Sequence, residues 1–159
     1  MILGLILFVF TSSVYAQALI CNNGYGFDGA GTVMTGTDNK CYVKVKAGAA
    51  YADGDVVTLN YTNDNGYDVT TSTSAGYHAY CVFDAACASG AICKCQVFGK
   101  HDAVKTDVSN HNITAGLGLA LSGTAKMAEG LPAGEGRGFA TALDTASTSG
   151  TVEAFIHAL

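Results

Sequence analysis

Residues 82–92 and 142–152 echo one another. Val82-Phe83-Asp84-Ala85-Ala86-Cys87-Ala88-Ser89-Gly90-Ala91-Ile92 lies opposite Ala142-Leu143-Asp144-Thr145-Ala146-Ser147-Thr148-Ser149-Gly150-Thr151-Val152 at an offset of 60, with Asp, Ala, Ser and Gly coincident. Upstream, 52–59 faces 114–121 at an offset of 62, so the later copy is expected to have lost two residues from its hairpin. A repeat constrains the fold before any single motif does. Each copy reads as strand, Gly-led turn, strand, hairpin, Gly76 or Gly136, strand, Ser-Gly turn, strand. Two copies, about 51–98 and 113–157, predict one small all-β barrel or sandwich.

The local texture agrees. From Cys41 onward, short β-prone runs are separated by Gly, Asn, Asp and Ser. Tyr42-Val43-Lys44-Val45-Lys46 alternates with period two, which predicts a strand with one buried and one wet face. Asn65-Gly66 lies between Leu59-Asn60-Tyr61-Thr62 and Tyr67-Asp68-Val69-Thr70 and suits the positive φ angles of a type I′ hairpin turn. The stretch from His111 to Leu121 is rich in Ala and Leu, but Gly116 and Gly118 weaken any helix there.

At 159 residues, 49% hydrophobic and 13% charged, the chain is expected to fold as one domain, 41–159, preceded by a segment 1–40 of different character. A net charge of −5 argues against binding nucleic acid through a basic surface. The absence of Trp and the many Ala and Val residues predict a shallow core without a cavity for a large cofactor. Met1 to Phe10 is almost wholly apolar, and Val14-Tyr15-Ala16 is a small-x-small ending that suits a signal peptidase, although no Lys or Arg precedes it. The stretch is too short to span a bilayer, which needs about twenty apolar residues. Residues 1–16 therefore read either as a cleaved signal followed by a linker, or as part of an apolar arm, 1–40, that docks on a neighbouring subunit.

Cys21, Cys41, Cys81, Cys87, Cys93 and Cys95 would allow three disulfides in a secreted chain. No C-x-x-C pair occurs, and His78, His101, His111 and His157 do not fall at zinc-site spacing. Cys93 and Cys95 share one face of a strand. At an offset of 60, Cys81, Cys87, Cys93 and Cys95 lie opposite Thr141, Ser147, Glu153 and Phe155, mostly small or apolar residues. Buried free thiols acting as space-fillers are the favoured expectation.

No catalytic, cofactor or metal residue is assigned. Gly-x-Ser-x-Gly is missing. Asp53, Asp55, Asp64 and Asp68 crowd one hairpin but lack the spacing of a Ca²⁺ loop, so turn-forming roles are expected. Gly134-Glu135-Gly136-Arg137-Gly138 lacks the third glycine of a dinucleotide motif and reads as a loop. His101-Asp102 and His111 are placed in an exposed connector between the copies. Asn60-Tyr61-Thr62 and Asn112-Ile113-Thr114 match the glycan acceptor pattern.

Ala52-Asp53-Gly54-Asp55-Val56-Val57, Ala75-Gly76 leading to Val82-Phe83-Asp84-Ala85-Ala86, and Ser89-Gly90 turning into Cys95-Gln96-Val97-Phe98-Gly99 together resemble the small capsid decoration proteins of tailed bacteriophages. Ile113-Thr114-Ala115-Gly116 through Leu119-Ala120-Leu121-Ser122, Gly136-Arg137-Gly138-Phe139-Ala140-Thr141-Ala142-Leu143-Asp144 and Val152-Glu153-Ala154-Phe155-Ile156 continue the likeness, which covers 41–159. The resemblance implies a β-barrel or β-tulip-like cement protein, a homotrimer seated on the major capsid protein at the outer surface of the virion. It implies no catalysis and no small-molecule substrate. The alternative is a secreted, disulfide-stabilised cell-surface or filament subunit.

Overall fold

The computed structural model describes residues 33–35, 40–60, 68–71, 79–132 and 138–158. The apolar start, the Asn65-Gly66 turn, Gly76 and Gly134 to Arg137 lie outside these residues. Within them the chain is all-β, without a helix. The strands are β1 (Val33–Thr35), β2 (Cys41–Ala47), β3 (Val56–Leu59), β4 (Asp68–Thr70), β5 (Cys81–Phe83), β6 (Ile92–Thr106), β7 (Gly118–Leu121), β8 (Ala128–Gly130), β9 (Ala140–Ala142) and β10 (Gly150–His157).

Alternation sets which side chains go inward. Val43, Val45 and Ala47 of β2 are buried while Lys46 is exposed, as the period-two pattern predicts. In β10, Val152, Ala154 and Ile156 point inward and Thr151 and Phe155 outward. β3 and β4 pair antiparallel through Thr58 with Thr70 and Leu59 with Val69, three residues away from the register that a two-residue turn at Asn65-Gly66 sets. The glycine-weakened stretch ends in strand β7.

The pairings close on themselves twice. β2 runs parallel to β4, β4 pairs with β3, β3 with β5, β5 with β6, and β6 returns to β2. In the second half, β6 runs parallel to β8, β8 pairs with β7, β7 with β9, β9 with β10, and β10 returns to β6. Order and sense are the same in both circuits, and the 15-residue strand β6 belongs to both. Val43, Val45, Val57, Phe83 and Val97 fill the first circuit around Tyr51. Val104, Ile113, Leu119, Phe139 and Ile156 fill the second, joined by Val56 and Val82 from the first, so the two circuits share packing.

The register of these pairings corrects the expected offset. Val57 pairs with Cys81 and Phe83 with Cys95; Leu119 pairs with Ala140 and Ala142 with Ala154 in the corresponding places. Strands β5 and β6 therefore correspond to β9 and β10 at an offset of 59, while β3 and β7 keep 62. The expected 60 is one residue out, and a slip of one exchanges the two faces of a strand. The coincident residues that suggested it, Asp84 with Asp144 and Ser89-Gly90 with Ser149-Gly150, follow strands, sit in turns or, for Gly150, open β10. Turn chemistry selects the same residue types whatever the strand register.

The cysteines are not free thiols. Cys81 is bonded to Cys95 and Cys87 to Cys93, with Cα separations of 5.6 and 6.1 Å, inside the range a disulfide bridges. Cys41 is also disulfide-bonded, with its partner outside the described residues. At the corrected offset the positions opposite Cys81, Cys95, Cys87 and Cys93 are Ala140, Ala154, Ala146 and Val152. The first circuit is stapled covalently where the second packs small apolar side chains.

Candidate functional site

The densest group of potential ligands among the described residues is Asp53, Asp84 and His101, whose ligand atoms all lie within 4.8 Å of one another. Asp53 belongs to the turn before β3, closed by the Asp55 N–H donating to the Ala52 carbonyl (3.2 Å). Gly54 supplies the positive φ of 78° that this turn needs. Asp84 follows β5. His101 lies in the middle of β6 and is 1% exposed, which corrects its expected place in a solvated connector; Asp102 and His111 are exposed.

The hydrogen bonds fix the imidazole. The Ala103 N–H donates to Nδ1 at 3.1 Å, so Nδ1 carries no proton. Nε2 then holds the hydrogen and donates it to the Phe83 carbonyl at 3.1 Å. Asp53 and Asp84 flank the same Nε2 at 3.6 and 3.9 Å. A metal at Nε2 would have to displace that proton while Nδ1 remains capped by a backbone donor, so this histidine does not fit a metal ligand. Asp84 is engaged as well: the Tyr42 hydroxyl donates to it at 2.7 Å, and the Lys40 ammonium lies 3.8 Å away. The group acts as a joint binding β2, the end of β5 and β6.

The four aspartates that crowd one stretch of sequence are separated. Asp55 is buried, accepts the Ala52 N–H at 2.9 Å, and faces the ammonium groups of Lys105 and Lys126. Asp68 is buried 3.9 Å from Lys46. Asp53 joins His101, and Asp64 lies outside the described residues. Tyr51 stacks on Phe83 with ring centroids 4.6 Å apart, and the Lys126 ammonium sits 5.2 Å above its ring. Burial, with Asp55 nearby, pushes its phenol up to about 12, so it stays a neutral donor to the Val69 carbonyl.

Two polar centres carried no signal in the sequence. Gln96 is fully buried, and its amide nitrogen donates to the carbonyls of Phe98 (3.2 Å), Gly99 (2.9 Å) and Lys100 (3.1 Å). It fastens the point where β6 passes from one circuit to the other, next to Gly99 at a φ of 99°. Asp107, at the end of β6, accepts from the Ser109 backbone and hydroxyl (2.9 and 2.5 Å), the Ser122 hydroxyl (3.2 Å) and the Thr124 hydroxyl (2.5 Å). These donors, led by Ser109 and Thr124, hold its carboxyl well below the usual carboxylate range.

A depressed folded-state value stabilises the fold above the ordinary value of 3.8, and that contribution is lost as pH falls below it. Asp107→Asn is therefore expected to melt below the unsubstituted protein at neutral pH, with the gap closing below about pH 4. Thermal melts between about pH 2 and 7 check this; a gap that stays constant across the range counts against the network.

Asn112 of the second glycan pattern is exposed and Asn60 of the first is half-buried. The His157 Nε2 lies 3.1 Å from the Thr141 hydroxyl. This contact ties β9 to β10, as the joint around His101 ties β2, the end of β5 and β6.

No protein family matches the chain, and no curated protein does. Among solved structures it is similar to "The crystal structure of head fiber gp8.5 N base in bacteriophage phi29", with a TM-score of 0.49 and 12% sequence identity over 72% of this chain and 92% of that one.

Proposed function

We propose that this chain is a structural virion protein that decorates a phage capsid and braces it by bridging capsid subunits. In this reading, residues 41–159 form one small β-barrel or sandwich domain built from two related β repeats, and residues 1–40 serve as an arm to a neighbouring subunit or sibling protomer in a homotrimer. The observation that carries the structural role is how the interior polar groups are used. Asp55 ties the turn before β3 to Lys105 of β6, His101 of β6 holds the Phe83 carbonyl of β5, Asp107 gathers Ser109, Ser122 and Thr124, and Gln96 braces β6 upon itself beside Gly99, so they maintain architecture. The likeness of 41–159 to decoration proteins supports the capsid as the surface that this scaffold covers.

A secreted surface or filament subunit is the second reading, and the disulfides favour it, because such bonds persist chiefly outside a reducing cytoplasm. The amino terminus separates the two. Purified particles imaged by electron microscopy, with peptide mapping of the same material, are expected to show the protein on the shell beginning at or next to Met1. Recovery from a culture medium free of particles, beginning at Gln17, overturns the virion reading in favour of the secreted one.

A further inference from the structure

The two disulfides of the first circuit differ in how far solvent reaches them. Cys81 and Cys95 are fully buried, and the register places Cys95 between Val43 of β2 and Phe83 of β5. The other bond lies at the rim. Cys87 is 3% exposed, but Cys93, the second residue of β6, is half-buried, and Ile92 and Lys94 on either side of it are exposed. Among the described cysteines it is the one that solvent reaches, since Cys41 too is buried. Thiol–disulfide exchange begins with a thiolate attacking one sulfur, so it occurs where a sulfur can be reached.

The surroundings of Cys87 allow the bond to open without loss of the fold. The turn that carries it is anchored through its backbone. The Tyr51 N–H donates to the Cys87 carbonyl at 2.8 Å and the Cys87 N–H to the Tyr51 carbonyl at 2.9 Å. The Gly90 N–H donates to the Ala47 carbonyl at 2.7 Å, and the Ala47 N–H to the Ala91 carbonyl at 2.9 Å. The Cys87 sulfur lies 3.7 Å from the Ala88 carbonyl oxygen, so a thiol formed there has an acceptor in place and reduction leaves no orphaned donor. Opening Cys81–Cys95, by contrast, requires β5 to part from β3 or β6 before any reagent arrives.

We propose that Cys87–Cys93 is an exchangeable bond that takes small aliphatic thiols at the Cys93 sulfur, and that its opening loosens the turn 84–91 while Cys81–Cys95 stays closed. The attacking thiolate forms a mixed disulfide with Cys93, the bond to Cys87 breaks, and the Cys87 thiolate takes a proton from water. A second thiolate then attacks the sulfur of the bound small thiol, and Cys93 leaves as a thiolate that is protonated in turn. Two small thiols are thereby oxidised to their disulfide, and the protein bond is reduced to two thiols. An excess of the small disulfide drives the same steps backwards and closes the bond. The inference goes beyond the capsid reading and holds equally for a secreted subunit. Its test uses the free chain, so failure here is distinguishable from failure of the particle experiment.

The full oxidised chain is incubated with reduced glutathione in native buffer, quenched at intervals with an alkylating reagent and mapped by peptide mass. Cys87 and Cys93 are expected to become alkylated, or Cys93 to carry glutathione, at least about tenfold faster than Cys81 and Cys95 are released, since a local opening of about 1.4 kcal/mol already gives that factor. In denaturing urea the two rates should converge, because burial no longer separates the bonds. Hydrogen exchange on the opened form should show the Cys87 and Gly90 amides exchanging at least about tenfold faster, with the β10 amides unchanged. Two bonds that open at one rate in native buffer, a difference that persists in urea, or turn amides as protected after opening as before overturns the proposal.

Discussion

Replacing Gly54 by alanine is expected to cost about 2–5 kcal/mol of stability, the sum of overpacking at about 1–3 and left-handed backbone at about 1–2. A Cβ at this position would lie 1.9 Å from the Ala103 carbonyl oxygen, with φ at +78°. The backbone cannot withdraw, because the Gly54 N–H donates to Phe83 at 2.8 Å and its carbonyl accepts from Lys105 at 3.0 Å. Gly116, its counterpart in the second circuit, has a φ of +85° with nothing within 4 Å of an added Cβ. Gly116→Ala should therefore cost only the backbone share, about 1–2 kcal/mol. Urea denaturation of the two variants side by side measures the contrast. Equal losses would mean that the turn before β3 does not press against β6 as described.

Removing the Cys81–Cys95 bridge is the second large effect. The bond closes a loop of sequence separation 14, worth about 3 kcal/mol through the entropy of the unfolded chain. The Cys87–Cys93 bond, with a separation of 6, is worth about 2 kcal/mol by the same argument. Cys81→Ala with Cys95→Ala puts alanine where the second circuit has the buried Ala140 and Ala154, so the interior should accept the change sterically. At about 2–4 °C per kcal/mol, calorimetry is expected to find Tm lowered by about 6–12 °C. An unchanged Tm would show that packing alone closes the first circuit, and would remove the reason to associate the fold with oxidising surroundings.

How much of this was legible in the sequence follows from the range over which each feature acts. The alternation along 42–46 and the glycine turns at 54 and 116 depend on neighbours in the chain, and both can be read from it. The joint at Asp53, Asp84 and His101 could not be, because its members come from three separated segments. Asp53 and Asp55, two residues apart, go to different partners, one exposed beside His101 and the other buried against Lys105. His101 read as exposed because it fell in the polar connector between the two copies, yet alternation along β6 carries Lys100 and Asp102 outward and the imidazole inward.

The all-β class was determined by the sequence itself, because period-two patterning and turn residues are written in contiguous stretches. Only the tertiary structure decided the register of the strands, the Cys81–Cys95 and Cys87–Cys93 bonds, and the joining of Asp53 and Asp84 to His101. Each of these depends on which strands lie side by side, and that is set by pairings between residues distant in the chain, where a shift of one position moves every side chain to the opposite face.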